Sequence, residues 1–173
     1  MRVAAQIEVS APPELVWEAI TDPARTLDYM SGVTRWEVAG EQERGLGARY
    51  RMLMRVGSAE IGSLVEIVEC DEARDLAWTS ITGIDQRARW RLRAVRGARG
   101  RGARTRVEFR LAYGVAGAGL FGWVAERIAA PQVRGHLRRS LQQLKREVEH
   151  EQLRLDAAAR RKARAGARPR SRA

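Results

Sequence analysis

From Val33 to Tyr113 apolar and polar residues alternate with a period of two, and the interruptions are mostly no longer than a turn. That pattern constrains the chain more than any other feature. Side chains of a strand point alternately to its two faces, so period two means strands with one face buried. The clearest stretch sets Arg87, Arg89, Arg91 and Arg93 against Ala88, Trp90, Leu92 and Ala94. Residues 104–113 repeat it, with Val107, Phe109 and Leu111 opposite Arg106, Glu108 and Arg110. Six strands are predicted here, over 33–40, 47–56, 59–70, 75–82, 85–96 and 104–113. Gly57-Ser58 suits a two-residue hairpin, Asp71-Glu72-Ala73-Arg74 a four-residue turn, and Gly83 a further reversal. Strands joined by such short links must run antiparallel. In 59–70 two apolar sets compete for the interior, Ile61, Val65 and Ile67 against Leu64, Val68 and Cys70. A one-residue bulge would reconcile them.

A further strand opens the chain, with Val3, Ala5, Ile7 and Val9 alternating against Arg2, Gln6 and Glu8. Pro12 and Pro13 then suit the first turn of a helix, where a missing N–H costs nothing. Leu15, Val16, Ala19 and Ile20 give its apolar stripe. Asp22 can cap a second short helix that has Pro23 at its first position and Gly32 at its end. After the last strand, a glycine-rich connection over 114–122 leads into a long helix reaching to about residue 155. Its stripe runs Leu120, Val124, Ile128, then Val133, Leu137, Leu141, Leu144 and Val148. The step from 128 to 133 slips phase at Pro131, so the helix is kinked there, or two helices are broken there.

The net charge of +11 is unevenly placed. From Arg154 to Ala173 eight basic residues face one acid, Asp156. We expect a domain over 1–155 and a basic tail over 156–173, disordered after about residue 158. The tail can attract a polyanion, either an anionic membrane or nucleic acid, through weak and salt-labile contacts. The arginine–glycine loop over 96–104 lacks interleaved aromatics and reads as a solvated hairpin tip. No apolar run is long enough to cross a membrane, and the first residues lack the core of a signal peptide, so a cytoplasmic location is expected. One cysteine, Cys70, excludes an internal disulfide, and its acidic neighbours Asp71 and Glu72 discourage a thiolate. His136 and His150 sit fourteen positions apart on the long helix, four turns from each other, and read as solvated positions. No nucleophile-elbow, zinc-helix or phosphate-loop motif occurs. The glycines at 114, 117, 119 and 122 lack the parallel crossover that dinucleotide binding needs. Neither cofactor nor metal is expected.

Three stretches carry a family likeness: Ile7-Glu8-Val9-Ser10-Ala11-Pro12-Pro13-Glu14-Leu15-Val16-Trp17, Asp22-Pro23-Ala24-Arg25, and Val68 through Trp78. With the order strand, two short helices, six strands, long helix, the chain resembles the SRPBCC superfamily, also called START-like or helix-grip. It is most similar to the branch of polyketide cyclases/dehydrases and lipid transporters, over residues 2–150. The resemblance implies an α+β helix-grip fold, a seven-stranded curved antiparallel sheet wrapped on the long C-terminal helix, with two short helices after strand one. It also implies an internal hydrophobic cavity for a lipid-like or polyketide-like small molecule. By alternation, its walls would be Tyr50, Met52, Met54, Trp78, Trp90, Phe109 and Leu111 from the sheet, and Phe121, Val124 and Ile128 from the helix side. Methionines and aromatics make adaptable apolar walls. Cyclases of that branch work by positioning with acid–base help. Tyr50, Ser63, Ser80, Tyr113 and Asp28 are the polar candidates here, and no catalytic set can be assembled from them. Three roles stay open: a carrier of a hydrophobic molecule, a cyclase or dehydratase, and a protein-interaction module with a filled interior.

Overall fold

The computed structural model describes residues 1–95, 102–114 and 119–166, with the side chains of Val56, residues 119–130 and Gly166 excepted. Seven strands form one sheet: β1 (Arg2–Val9), β2 (Val33–Val38), β3 (Arg49–Val56), β4 (Ala59–Asp71), β5 (Asp75–Gly83), β6 (Asp85–Val95) and β7 (Arg104–Gly114). Their order is β1-β7-β6-β5-β4-β3-β2, and every neighbouring pair is antiparallel. The meander of six strands is thus completed by β1, which adds to its outer edge beside β7. The sheet is strongly curved and its concave face grips the long helix, in an α+β helix-grip fold.

Helix α1 (Pro13–Thr21) starts with a proline at its first position. Asp22 then caps a single 3-10 turn over Pro23–Arg25 by accepting from the Ala24 N–H at 3.1 Å, and α2 (Thr26–Tyr29) follows directly. The long helix α3 (Gly119–Gly166) passes through Pro131 as one element. It also outruns the expected end of order near residue 158. Ala157, Ala158, Ala159, Ala163 and Ala165, with arginines and a lysine between them, are strong helix formers that need no apolar partner to continue the spiral. Residues 96–101, 115–118 and 167–173 lie outside the described residues, and of the expected glycine-rich connection over 114–122 Gly114 ends β7 while Gly119 already opens α3.

The core lies between the concave face and α3. Val133, Leu137, Leu141, Leu144 and Val148 of the helix are all buried, as are Val16, Trp17, Ala19 and Ile20 of α1. In β4 the inward set is Ser63, Val65 and Ile67, while Val68 and Cys70 are exposed. Register shifts occur between Leu64 and Val65 and between Ile67 and Glu69. The second is the expected one-residue bulge: Val68 and Glu69 both stay on the outer face, and Cys70, paired with the inward Leu76, returns to the concave side, where it remains exposed.

The outer face of β6 solves an electrostatic problem. Four arginines in a row repel one another, and acids from neighbouring strands are set against them. Asp75 of β5, only 8 % exposed, takes Arg91 Nε at 3.0 Å and Arg93 Nη2 at 2.9 Å, and Arg89 pairs with Glu69 of β4. Burial alone would raise the Asp75 pKa. Hydrogen bonds and positive charge from Arg91 and Arg93 outweigh it and hold the carboxyl below its ordinary value of 3.8. Replacing Asp75 by Asn should therefore lower stability by about 1–3 kcal/mol at pH 7 in urea unfolding. A carboxyl with a lowered folded pKa stabilises above its unfolded pKa, and that contribution is lost as pH falls through the folded one. The difference between the two proteins should accordingly shrink below pH 4, and an undiminished difference at pH 2 would contradict the assignment.

Candidate functional site

Six aromatic rings cross the concave face in contact. Trp90 and Phe109 are stacked with centroids 3.9 Å apart, and Tyr29 of α2 meets Trp90 edge-on at 6.0 Å. Phe109 leads to Trp78 at 5.8 Å, Trp78 to Trp36 at 5.7 Å, and Trp36 stacks on Tyr50 at 4.8 Å. Two small cavities, each of about 20 Å³, lie along this row. The first is bordered by Tyr50, Trp36, Ile67 and Ile20. The second lies under α3, bordered by Met30, Met52, Met54, Phe109, Leu111 and Leu137. Trp78 lines both.

Most of the wall residues expected from alternation converge here. Tyr50, Met52, Trp78, Trp90, Phe109 and Leu111 are all buried on the concave face, with Met54 partly so. Met52, Met54, Trp78, Phe109 and Leu111 meet at the second cavity, and Tyr50 borders the first. Trp90 borders neither, because Tyr29 and Phe109 cover it. The side chains of Phe121, Val124 and Ile128 lie outside the described residues.

Gln86, Ser31, His136 and Ser140 border the second cavity, none of them among the polar candidates of the sequence, while the candidates Ser63 and Ser80 bond Gln86. Gln86, 4 % exposed, donates from Nε2 to Ser63 Oγ at 2.6 Å, and its backbone N–H donates to Ser80 Oγ at 3.0 Å. Across the cavity stands His136 of α3, half-buried and not a solvated helix position as its arginine neighbours suggest. Its Nδ1 is approached by Ser31 Oγ at 3.0 Å and by Arg139 Nη2 at 3.1 Å. A guanidinium can only donate, so Nδ1 accepts and the imidazole proton sits on Nε2. Burial and the Arg139 charge both push the His136 pKa below its ordinary 6.5. Ser140, buried beside it, accepts from the Ser31 N–H at 2.9 Å. The helix and the end of α2 are thereby tied at the cavity's rim.

The other hydroxyl candidates are engaged elsewhere. Tyr50 donates its phenol to the Glu43 carbonyl at 2.6 Å. Tyr113 reaches Met1 Sδ at 3.4 Å, and Asp28 is exposed. The Cys70 thiol is pushed up by partial burial and by Glu72 and Asp71, which leaves it protonated at neutral pH. Among the described residues two buried side-chain polar atoms have no partner, the Gln143 Oε1 acceptor on α3 and the Trp78 Nε1 donor, and of the two residues only Trp78 borders the cavities. A larger hollow, about 790 Å³, opens to solvent on the outer face of the sheet between Arg2, Arg87, Arg89 and Arg110. It is a shallow, charged trough and lacks the enclosure an apolar ligand requires.

Gly32 sets the approach of α2 to α3. Its φ is +87°, and a Cβ there would come 2.7 Å from His136 Nδ1. Gly32→Ala should lower stability by about 2 kcal/mol or more, from a disfavoured φ and a displaced His136 together. Chemical denaturation measures it, and a loss under about 0.5 kcal/mol would mean the contact is slack. A histidine with a lowered folded pKa leaves stability intact above its unfolded pKa and removes it as pH falls further. Stability should thus decline between pH 7 and pH 5, and His136→Gln should flatten that decline.

A family model described as polyketide cyclase / dehydrase and lipid transport matches residues 1–149. No curated protein matches the chain. Among solved structures, a Thermus thermophilus protein superposes with a TM-score of 0.70 at 21 % identity, covering 86 % of this chain and 97 % of its own. A Deinococcus radiodurans protein gives 0.62 at 20 % identity, covering 87 % and 99 %. The Zhui aromatase/cyclase of a Streptomyces species also gives 0.62 at 20 % identity, covering 86 % and 93 %. At such identities the likeness concerns the fold. Among the described residues no helix is long and apolar enough to cross a membrane.

Proposed function

For a chain that belongs to the polyketide cyclase/dehydrase and lipid transport family, we propose binding of a hydrophobic, oxygen-bearing small molecule between the concave face and α3. The observation that carries this reading is Trp78. Its ring lines both interior cavities, and its buried Nε1 donor lacks an acceptor among the described residues. An unmet buried donor costs about 1–3 kcal/mol. A carbonyl or hydroxyl oxygen of a ligand would relieve it, while the surrounding aromatics and methionines take the apolar body.

Two cavities of about 20 Å³ are far below the roughly 300–1,000 Å³ of a small-molecule site. Among the described residues, binding at these cavities therefore requires side chains to give way. Met52 and Met54 are suited to that, since an unbranched thioether changes rotamer at little cost. Their displacement would enlarge the second cavity from β3 toward Trp78.

The enzymatic reading has one specific observation in its favour. A neutral His136, oriented through Nδ1 by Ser31 and Arg139, borders the same cavity as Gln86. A histidine placed so can shuttle a proton to or from a ligand held against Trp78. The similarity to an aromatase/cyclase agrees with either reading.

Native mass spectrometry and organic extraction of freshly purified protein test the binding reading. Tryptophan-fluorescence titration with hydroxylated polycyclic aromatics and fatty acids completes the test. The expected result is a saturable ligand, bound about fivefold more weakly by Trp78→Phe, since one hydrogen bond is worth about 1 kcal/mol. No co-purified molecule, together with no binding or thermal shift across the panel, would overturn it. Turnover of a bound polyketide analogue that disappears in His136→Gln while binding persists would select the enzyme.

A further inference from the structure

We infer that the C-terminal part of α3 is a basic arm that binds duplex DNA by entering its major groove. After Gln152 the helix leaves the domain. Leu153 and Leu155 are 62 % and 52 % exposed, and from Ala158 to Ala165 every residue is exposed. The arm carries Arg154, Arg160, Arg161, Lys162 and Arg164 against a single acid, Asp156. None of these five cations has an ion pair among the described residues.

That distinguishes the arm from the other arginine-rich surface. On the outer face of the sheet Arg89, Arg91 and Arg110 are matched by Glu69, Asp75 and Glu108. Those charges are already neutralised, so they offer a polyanion little. Compensation of the helix dipole explains arginines only in the last turn. It accounts for Arg164, but Arg154 lies ten residues earlier.

The geometry favours a groove over a flat surface. At 100° per residue the five cations spread over an arc of about 200°. A helix lying on a membrane engages one side, and the rest of this arm is mostly alanine, without the bulky apolar face that inserts between lipids. In a major groove about 12 Å wide, phosphates flank a helix on both sides. A helix thinned by alanines fits there. From Arg154 to Arg164 the rise is about 15 Å, or roughly four phosphate steps of one strand. Four of the five cations are arginines, whose fork matches phosphate oxygens. None of the five cations has a partner among the described residues that would aim it at a base edge, so recognition rests on the backbone and is independent of sequence.

The test is fluorescence anisotropy of a labelled 20-base-pair DNA duplex of arbitrary sequence with the full chain. A variant with all five cations changed to Gln keeps helix propensity, and circular dichroism and thermal melting check its fold. The expected result is binding that weakens with salt, the five cations contributing about −3 to −4.5 to the log–log slope. The variant should bind at least tenfold more weakly, with a slope shallower by that amount, while Arg110→Gln on the sheet face, whose charge Glu108 already matches, should bind like the parent. Equal binding by the five-Gln variant, no binding by the parent, or tighter binding to phosphatidylglycerol vesicles at the same salt would overturn the assignment. Equal affinity for an RNA duplex of the same length would overturn it too, since the RNA major groove is too narrow to admit the helix.

Discussion

Trp90 and Phe109, face to face with centroids 3.9 Å apart, hold the middle of this molecule. They belong to β6 and β7, paired directly in the register of the sheet. Because the two rings share one face, they fix which side of both strands is buried. Everything else is arranged against that choice. Tyr29 closes over Trp90 and brings α2 with it, and Phe109 passes the contact to Trp78. An aromatic pair contributes about 0.5–1.5 kcal/mol beyond the area it buries. A row of six rings therefore stiffens the concave face considerably. It also fills space beneath the described side chains of α3, where the two cavities it borders are small.

The same arrangement concentrates polar atoms where the aromatic row ends. Gln86 and Ser63 satisfy each other beneath α3, and His136, Ser31 and Ser140 tie the helix to α2. Only Trp78 Nε1 is left without a partner among the described residues of this region. An interior that is apolar, adaptable at Met52 and Met54, and equipped with one donor suits a greasy molecule with an oxygen. It suits a charged or strongly hydrated one poorly, because the aromatic walls offer no compensation for lost water.

Charge is handled in two different ways within one chain. On the sheet, repulsion within the arginine row of β6 is relieved by Glu69 and Asp75 across the strand pairs. On the arm of α3 nothing among the described residues relieves it. The first pattern is what a folded surface needs, and the second leaves five cations available to something outside the molecule.

Residue order alone dictates the meander, the two faces of each strand and the helical stripe of α3, because periods of 2 and 3.6 are written into it. The inward direction of Tyr50, Met52, Met54, Trp78, Phe109 and Leu111 was legible in that way, and each borders one of the cavities described. Residue order also places the excess of positive charge beyond Arg154. Tertiary packing settles what alternation cannot encode. His136 reads as solvated from its neighbours, yet the turn at Gly32 brings Ser31 against it. Gln86 sits in an alternating strand like any inward residue, and only the approach of β4 supplies Ser63 as its partner. The register shift between Ile67 and Glu69 decides that Val68 faces outward while Cys70 turns to the concave side beside Leu76, a choice made by pairing with β5 and not by composition. The volume left inside is likewise a property of packing: a pattern of apolar residues says which side chains turn inward, but only their contacts say how much room remains.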